Sequence, residues 1–141
     1  IIPDTKIRKN FKQASSGFIT EVNSMGYAGC EAAYRFGEPW RQELLLQLKQ
    51  NHDYLYQFVQ EELPGVHMTP LEATYLAWLE VKDLELQDPT THFENHGIGL
   101  SPGSAFGDPD YVRLNFGCPL SHLQKGLERM KTAIEATQSK K

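Results

Sequence analysis

Cysteine is scarce in this chain of 141 residues: Cys30 and Cys118 are the only two, far apart and without a CxxC spacing. That excludes a disulfide framework and a thiolate zinc site, and it fits a reduced, cytoplasmic setting. Long apolar runs are missing too. None approaches the ~18 residues that span a bilayer, and the opening IIPDTKIRKN lacks the basic-then-apolar order of a signal peptide, so no membrane partner is expected. Positive charge is in deficit, with 14 Lys and Arg against 18 Asp and Glu for a net charge of −4. A nucleic-acid partner is therefore not expected either. Internal repeats and low-complexity tracts do not occur.

What is present suits one globular unit. At this length, with 40% hydrophobic residues, folding removes roughly two-thirds of the unfolded chain's surface from water. Ile1-Ile2-Pro3-Asp4 reads as a strand end running into a turn, as though cut from something larger. Thr5 to Gln13 reads as a short helix. Ser24 to Phe36 carries Met25, Ala28, Gly29, Ala32, Ala33 and Phe36 at three-and-four spacing, a helix whose small residues imply close approach to another backbone. Gly37 ends it, and Pro39 suits the first turn of a long helix that runs to about Leu63, where Pro64-Gly65 stops it. Its apolar stripe is Leu44, Leu45, Leu48, Leu55, Phe58, Val59 and Leu63, and the charged and amide residues between them read as a solvated face.

From Val66 the period changes to two. Thr74 to Val81, TYLAWLEV, reads as an interior strand. A short helix is expected within 83–96, a brief strand at Gly97 to Leu100, and a glycine-proline loop over SPGSAFGDPD. YVRLNF, 111–116, is the next strand, with Val112, Leu114 and Phe116 on one face and Tyr111, Arg113 and Asn115 on the other. Ser121 and Gln124 form a capping box for a last helix whose face is Leu123, Leu127, Met130 and Ile134. The fold class is α+β: a small mixed or antiparallel sheet with packed helices.

Candidate chemistry is sparse. His92 and His96 stand four apart, one requirement of a metal pair, but no third ligand is near, so no metal is expected. Cys118 at a strand-to-helix turn reads either as an activated thiolate or as a small buried group. The loop 101–107 offers small residues and backbone amides to a ligand, or is a plain connection. Arg113 is different, because a guanidinium taken out of water needs an anion. The partner is either a structural Asp or Glu or the carboxylate of a ligand, for which the planar fork is suited.

Taken in order, NSMGYAGCEAAYRFGEPW, ATYLAWLEV, GIGLSPGSAFG and YVRLNFGCP resemble the carboxyl-terminal part of a fold-type I pyridoxal-phosphate enzyme. The group is the cystathionine β-lyase/aminotransferase type, the MalY/PatB-like C–S lyases. The resemblance implies the small domain of that fold at 37–141 and the last piece of the large cofactor domain at 1–36. It implies that Arg113, with Asn115, grips the α-carboxylate of an amino-acid substrate, and that Tyr75 and the loop residues Gly103, Ser104 and Phe106 lie near the pocket. The family's cofactor is pyridoxal 5'-phosphate, held on a Schiff-base lysine that would precede Ile1. No catalytic residue is therefore assigned in this chain, which alone is expected to hold no cofactor and to be inactive. The parent would be a homodimer catalysing α,β-elimination or transamination. The alternative is a free-standing α+β module that binds an amino acid or a protein without chemistry.

Overall fold

The computed structural model describes residues 1–18 and 22–138. The chain divides into two compact units, Ile1–Arg41 and Gln42–Lys141.

The first unit holds α1 (Thr5–Ser15), α2 (Ser24–Phe36) and the start of α3 (Glu38–Glu62). Ile1–Asp4 is not a strand end, contrary to the sequence reading. Asp4 serves instead as the N-cap of α1, its carboxylate accepting from Ile7 N at 2.8 Å, which satisfies one of the helix's unpaired first-turn amides. Asn23 caps α2 in the same way through Gly26 N at 2.7 Å. Neither α1 nor α2 buries a residue.

The second unit is an α+β sandwich. β1 (His67–Met68), β2 (Leu76–Glu80), β3 (Ser101–Pro102) and β4 (Tyr111–Asn115) form an antiparallel sheet in the order β1-β2-β4-β3. β2 and β4 are central because they carry the alternation that buries one face. Ala77 and Leu79 are buried on β2, and Val112 and Leu114 on β4, in register with them. Leu55, Phe58 and Val59 from α3 cover that face, together with Leu123, Leu127, Met130 and Ile134 from α5 (Leu120–Gln138) and Phe93 from α4 (Pro89–Glu94). Each such side chain contributes roughly 1.5–3 kcal/mol by leaving water.

Four expectations fail here, each for a physical reason. The brief strand is not at Gly97–Leu100 but at Ser101–Pro102, inside the segment read as loop. Gly97 (φ 78°) and Ile98 instead terminate α4, with Gly97 N on Glu94 O and Ile98 N on Phe93 O. That left-handed cap needs glycine and uses the backbone a strand would need. The amides of α3 are not all solvated, since Asn51 is fully buried. Leu45, read into the apolar stripe, is 45% exposed. Ser121 does not cap the last helix: α5 starts at Leu120, Pro119 O takes the amides of His122 and Leu123, and Ser121 is already inside the first turn.

Candidate functional site

Strand alternation sets the site. With Val112 and Leu114 in the core, Tyr111, Arg113 and Asn115 project from the other face of β4, half-buried or exposed. Register places Arg113 between Trp78 of β2 and Ser101 of β3. The Arg113 guanidinium donates from one Nη to Ser101 Oγ at 3.2 Å and lies 4.5 Å from the centre of the Phe106 ring. Such a cation–ring contact is worth about 0.5–2 kcal/mol. Phe106 in turn meets Trp78 edge-on at 5.7 Å, and Trp78 stacks on Tyr111 at 5.3 Å. The guanidinium is thus held by one aromatic ring and one hydroxyl. Among the described residues no carboxylate pairs with it, and most of its N–H donors are unspent. The acids nearby act on Tyr111: burial first, then Glu80, Asp108 and Asp110, push its phenol above the ordinary range.

The loop 103–106 forms a single tight helical turn, and glycine is required at its head. A Cβ on Gly103 would lie 2.3 Å from both Asp108 O and Tyr111 O. The backbone amides of Gly107 and Asp108 close the turn on Ser104 O and Gly103 O, so they are not free for a ligand. Gly103 is buried, Ser104 is exposed, and Phe106 is the one loop residue that reaches Arg113.

Asn115 lies two residues along the same face, about 7 Å from Arg113 by strand rise. Its Oδ1 accepts from Gly117 N at 2.8 Å, and its amide NH2 has no partner among the described residues. Tyr75 closes this end. Its carbonyl accepts from Phe116 N, and its ring stands 3.1 Å from where a Cβ on Gly117 would sit. The approach to Tyr75 is strained: Thr74 has φ 70°, an outlier for a β-branched residue, at roughly 1–3 kcal/mol. The structure therefore brings Arg113 and Phe106 together, and Tyr75 to Asn115 over Gly117.

Two residues that sequence reasoning missed support this arrangement. Asn51 on α3 donates both amide hydrogens, to Phe116 O at 2.8 Å and Cys118 O at 2.7 Å, and accepts from Gln47 at 2.9 Å. It pins the turn that follows Asn115. A signal existed, since Asn51 falls on the buried stripe, three after Leu48 and four before Leu55. His52 reaches Leu71 N, and no sequence pattern marks it.

Other candidates lose their chemistry. Burial pushes the Cys118 thiol above its usual pKa, only partly offset by Leu123 N–H, which favours the small buried group over the activated thiolate. The His92 and His96 rings lie 4.8 Å apart, tilted by 44°, but one ring nitrogen of His92 meets Ala133 O and one of His96 meets His92 O. No group of three or more possible metal ligands occurs among the described residues. No helix among them is long and apolar enough to cross a membrane. Of the lysines, Lys49, Lys82 and Lys131 sit in ion pairs with Asp53, Asp110 and Glu62.

Comparison with known proteins places this geometry. Residues 1–130 match the family described as aminotransferase class I and II. Cystathionine beta-lyase PatB of Bacillus subtilis is 34% identical over 142 residues, which cover 95% of this chain and 36% of that protein. Protein MalY of Escherichia coli is 34% identical over 110 residues, covering 74% and 28%. Among solved structures, OvoB superposes with a TM-score of 0.88 at 39% identity, over 95% of this chain and 35% of that one. The PLP-bound C-S lyase from Staphylococcus hominis gives 0.82 at 30%, over 95% and 36%. The fold is accordingly that of the small domain of fold-type I pyridoxal-phosphate transferases. The chain spans about a third of the length of these relatives.

Proposed function

Since this chain belongs to the aminotransferase class I and II family, we propose that it is part of a pyridoxal-phosphate-dependent C–S lyase of the cystathionine β-lyase type. In that enzyme it supplies the arginine that binds the substrate's α-carboxylate. The observation that carries this reading is Arg113, a half-buried guanidinium with no acidic partner among the described residues, held by Phe106 and Ser101. A planar fork with unspent donors suits a carboxylate taken in two-pronged fashion, and charge-assisted bonds of that kind are worth about 1.5–3 kcal/mol each. Asn115, with its free amide NH2, adds a donor on the same face, and Tyr75 bounds the pocket beside it. Gly103 and Ser104 serve by placing Phe106.

Gripping the carboxylate would fix the orientation of the amino acid and of the bonds at its Cα; this is positioning, and it removes the entropy of search from the chemical step. Pyridoxal phosphate, when bound, supplies an electron sink for negative charge developing at the substrate Cα. Among the described residues the lysines are exposed on α1 and, as Lys125, on α5, or are paired with acids on the surface, which supports the reading that the cofactor's lysine is supplied from elsewhere. The chain alone is accordingly expected to retain no cofactor and to turn over no substrate. We assign residues 1–36 to the end of the large cofactor domain and 37–141 to the small domain, a division supported by α1 and α2, which bury nothing. The whole enzyme is expected to be a cytoplasmic homodimer.

The test is product analysis on the whole enzyme with an S-linked cysteine conjugate. Equal yields of thiol, pyruvate and ammonia are expected. A keto acid that keeps its sulfur side chain, formed without ammonia, would make it a transaminase. No turnover of any amino acid would leave only a binding module.

A further inference from the structure

The segment 69–75 joins β1 to β2 and delivers Tyr75 to the site through the strained Thr74. One side chain of α3 reaches across to hold it. His52 Nε2 lies 3.0 Å from Leu71 N, and His52 Nδ1 lies 3.1 Å from Asp53 Oδ1. A backbone N–H can only donate, so Nε2 is the bare nitrogen and the proton resides on Nδ1, where the Asp53 carboxylate accepts it. The ring is fixed between neighbours as well, parallel to Tyr56 at 6.1 Å and edge-on to Phe116 at 6.2 Å, with the His52 side chain 18% exposed.

We propose that His52, locked by Asp53 as the Nδ1–H tautomer, is a positioning residue that anchors segment 71–75 and thereby sets Tyr75 against Gly117 and Asn115. The proposal rests on the reading of Tyr75 as a wall of the substrate pocket. The anchor exists only while the imidazole is neutral. A proton on Nε2 turns the acceptor into a second donor facing the Leu71 N–H, and the bond is lost.

The charged groups around His52 are few. Asp53 lies beside it on α3, and Lys49, one turn earlier, pairs with Asp53. Glu72 comes from the segment itself and lines the same groove. Phe116 and the Tyr56 ring bring no charge. Hydrogen bonds from Lys49 and His52 hold Asp53 below the usual carboxylate range, so it remains an acceptor for Nδ1–H when the medium is acidified.

The experiment uses the chain labelled with ¹⁵N, without substrate or cofactor. Nitrogen shifts of His52 should report a bare Nε2 and a protonated Nδ1, with a through-bond coupling from Nε2 to the Leu71 amide. His52→Phe keeps the stacked ring but removes the acceptor; the Leu71 amide should exchange at least tenfold faster and the Tyr75–Gly117 contact should be lost. His52→Gln places an oxygen where Nε2 was and should restore both. An Nε2–H tautomer in the unmutated chain, or an intact Tyr75–Gly117 contact in His52→Phe, overturns the proposal. Either result leaves the assignment of Arg113 standing, because that assignment is tested by kinetics of the whole enzyme.

Discussion

Replacing Asn51 by leucine removes three hydrogen bonds while keeping the side chain's branching and heavy-atom count, and the structure says which of them matter. Phe116 O is buried and loses this donor while keeping the Cys118 N–H at 2.9 Å, a cost of roughly 1–1.5 kcal/mol for one lost hydrogen bond. Cys118 O is only part-buried and recovers some of its bonding from water, so it counts near the lower end of that range. Gln47 is exposed and turns to solvent at little cost. Burying leucine in place of an amide offsets about 1 kcal/mol. The net loss is on the order of 1–1.5 kcal/mol, which for a unit of about 100 residues corresponds to a fall in Tm of roughly 4–12 °C. Urea unfolding monitored by Trp78 fluorescence measures it. A variant within ~0.5 kcal/mol of the parent chain would mean that water replaces both bonds and that Asn51 does not pin the 116–118 turn. Asn51→Asp sharpens the test: a carboxylate facing two carbonyls is repelled, its pKa in the fold rises, and the deficit should shrink as pH falls and the acid regains one donor.

Three further outcomes follow from the same geometry. Gly103→Ala forces a Cβ into two carbonyl oxygens and should lower stability by about 1–3 kcal/mol while releasing Phe106 from Arg113; an unchanged urea midpoint would refute the close approach. Iodoacetamide at mildly alkaline pH should modify exposed Cys30 well before Cys118, whose thiol is pushed up by burial; equal rates by mass spectrometry would contradict this. Asp88 is held below the usual carboxylate range by the Thr91 amide and hydroxyl, so its cap of α4 is present above the ordinary Asp pKa and lost as pH falls through the depressed one. Protection of the Thr91 amide should therefore persist into acid beyond the usual Asp titration, and Asp88→Asn should abolish that acid step.

The sequence made α2, α3, α5, β2 and β4 legible because each is long enough to show a period, and the alternation in YVRLNF put Arg113 on the right face. It did not reveal β1 and β3, two residues each, because strands that short exist only through their partners. The contacts of Arg113 were out of reach for the same reason: Ser101 and Phe106 arrive through the β3–β4 register, which no local pattern encodes. Asn51 was misread because an amide was sorted by polarity, when its spacing from Leu48 and Leu55 placed it on the buried stripe. Leu45 was misread in the opposite sense, since periodicity reports a face and not what covers it.

The most direct test of the central claim is the Arg113→Lys change in the whole enzyme. Lysine keeps the charge but not the fork, so kcat/KM for an amino-acid substrate should fall by roughly 10²-fold, about 3 kcal/mol. The melting temperature should stay within ~2 °C, because no folded-state ion pair is broken. A clear drop in melting temperature with kcat/KM per folded enzyme unchanged would contradict the account and make Arg113 a structural residue.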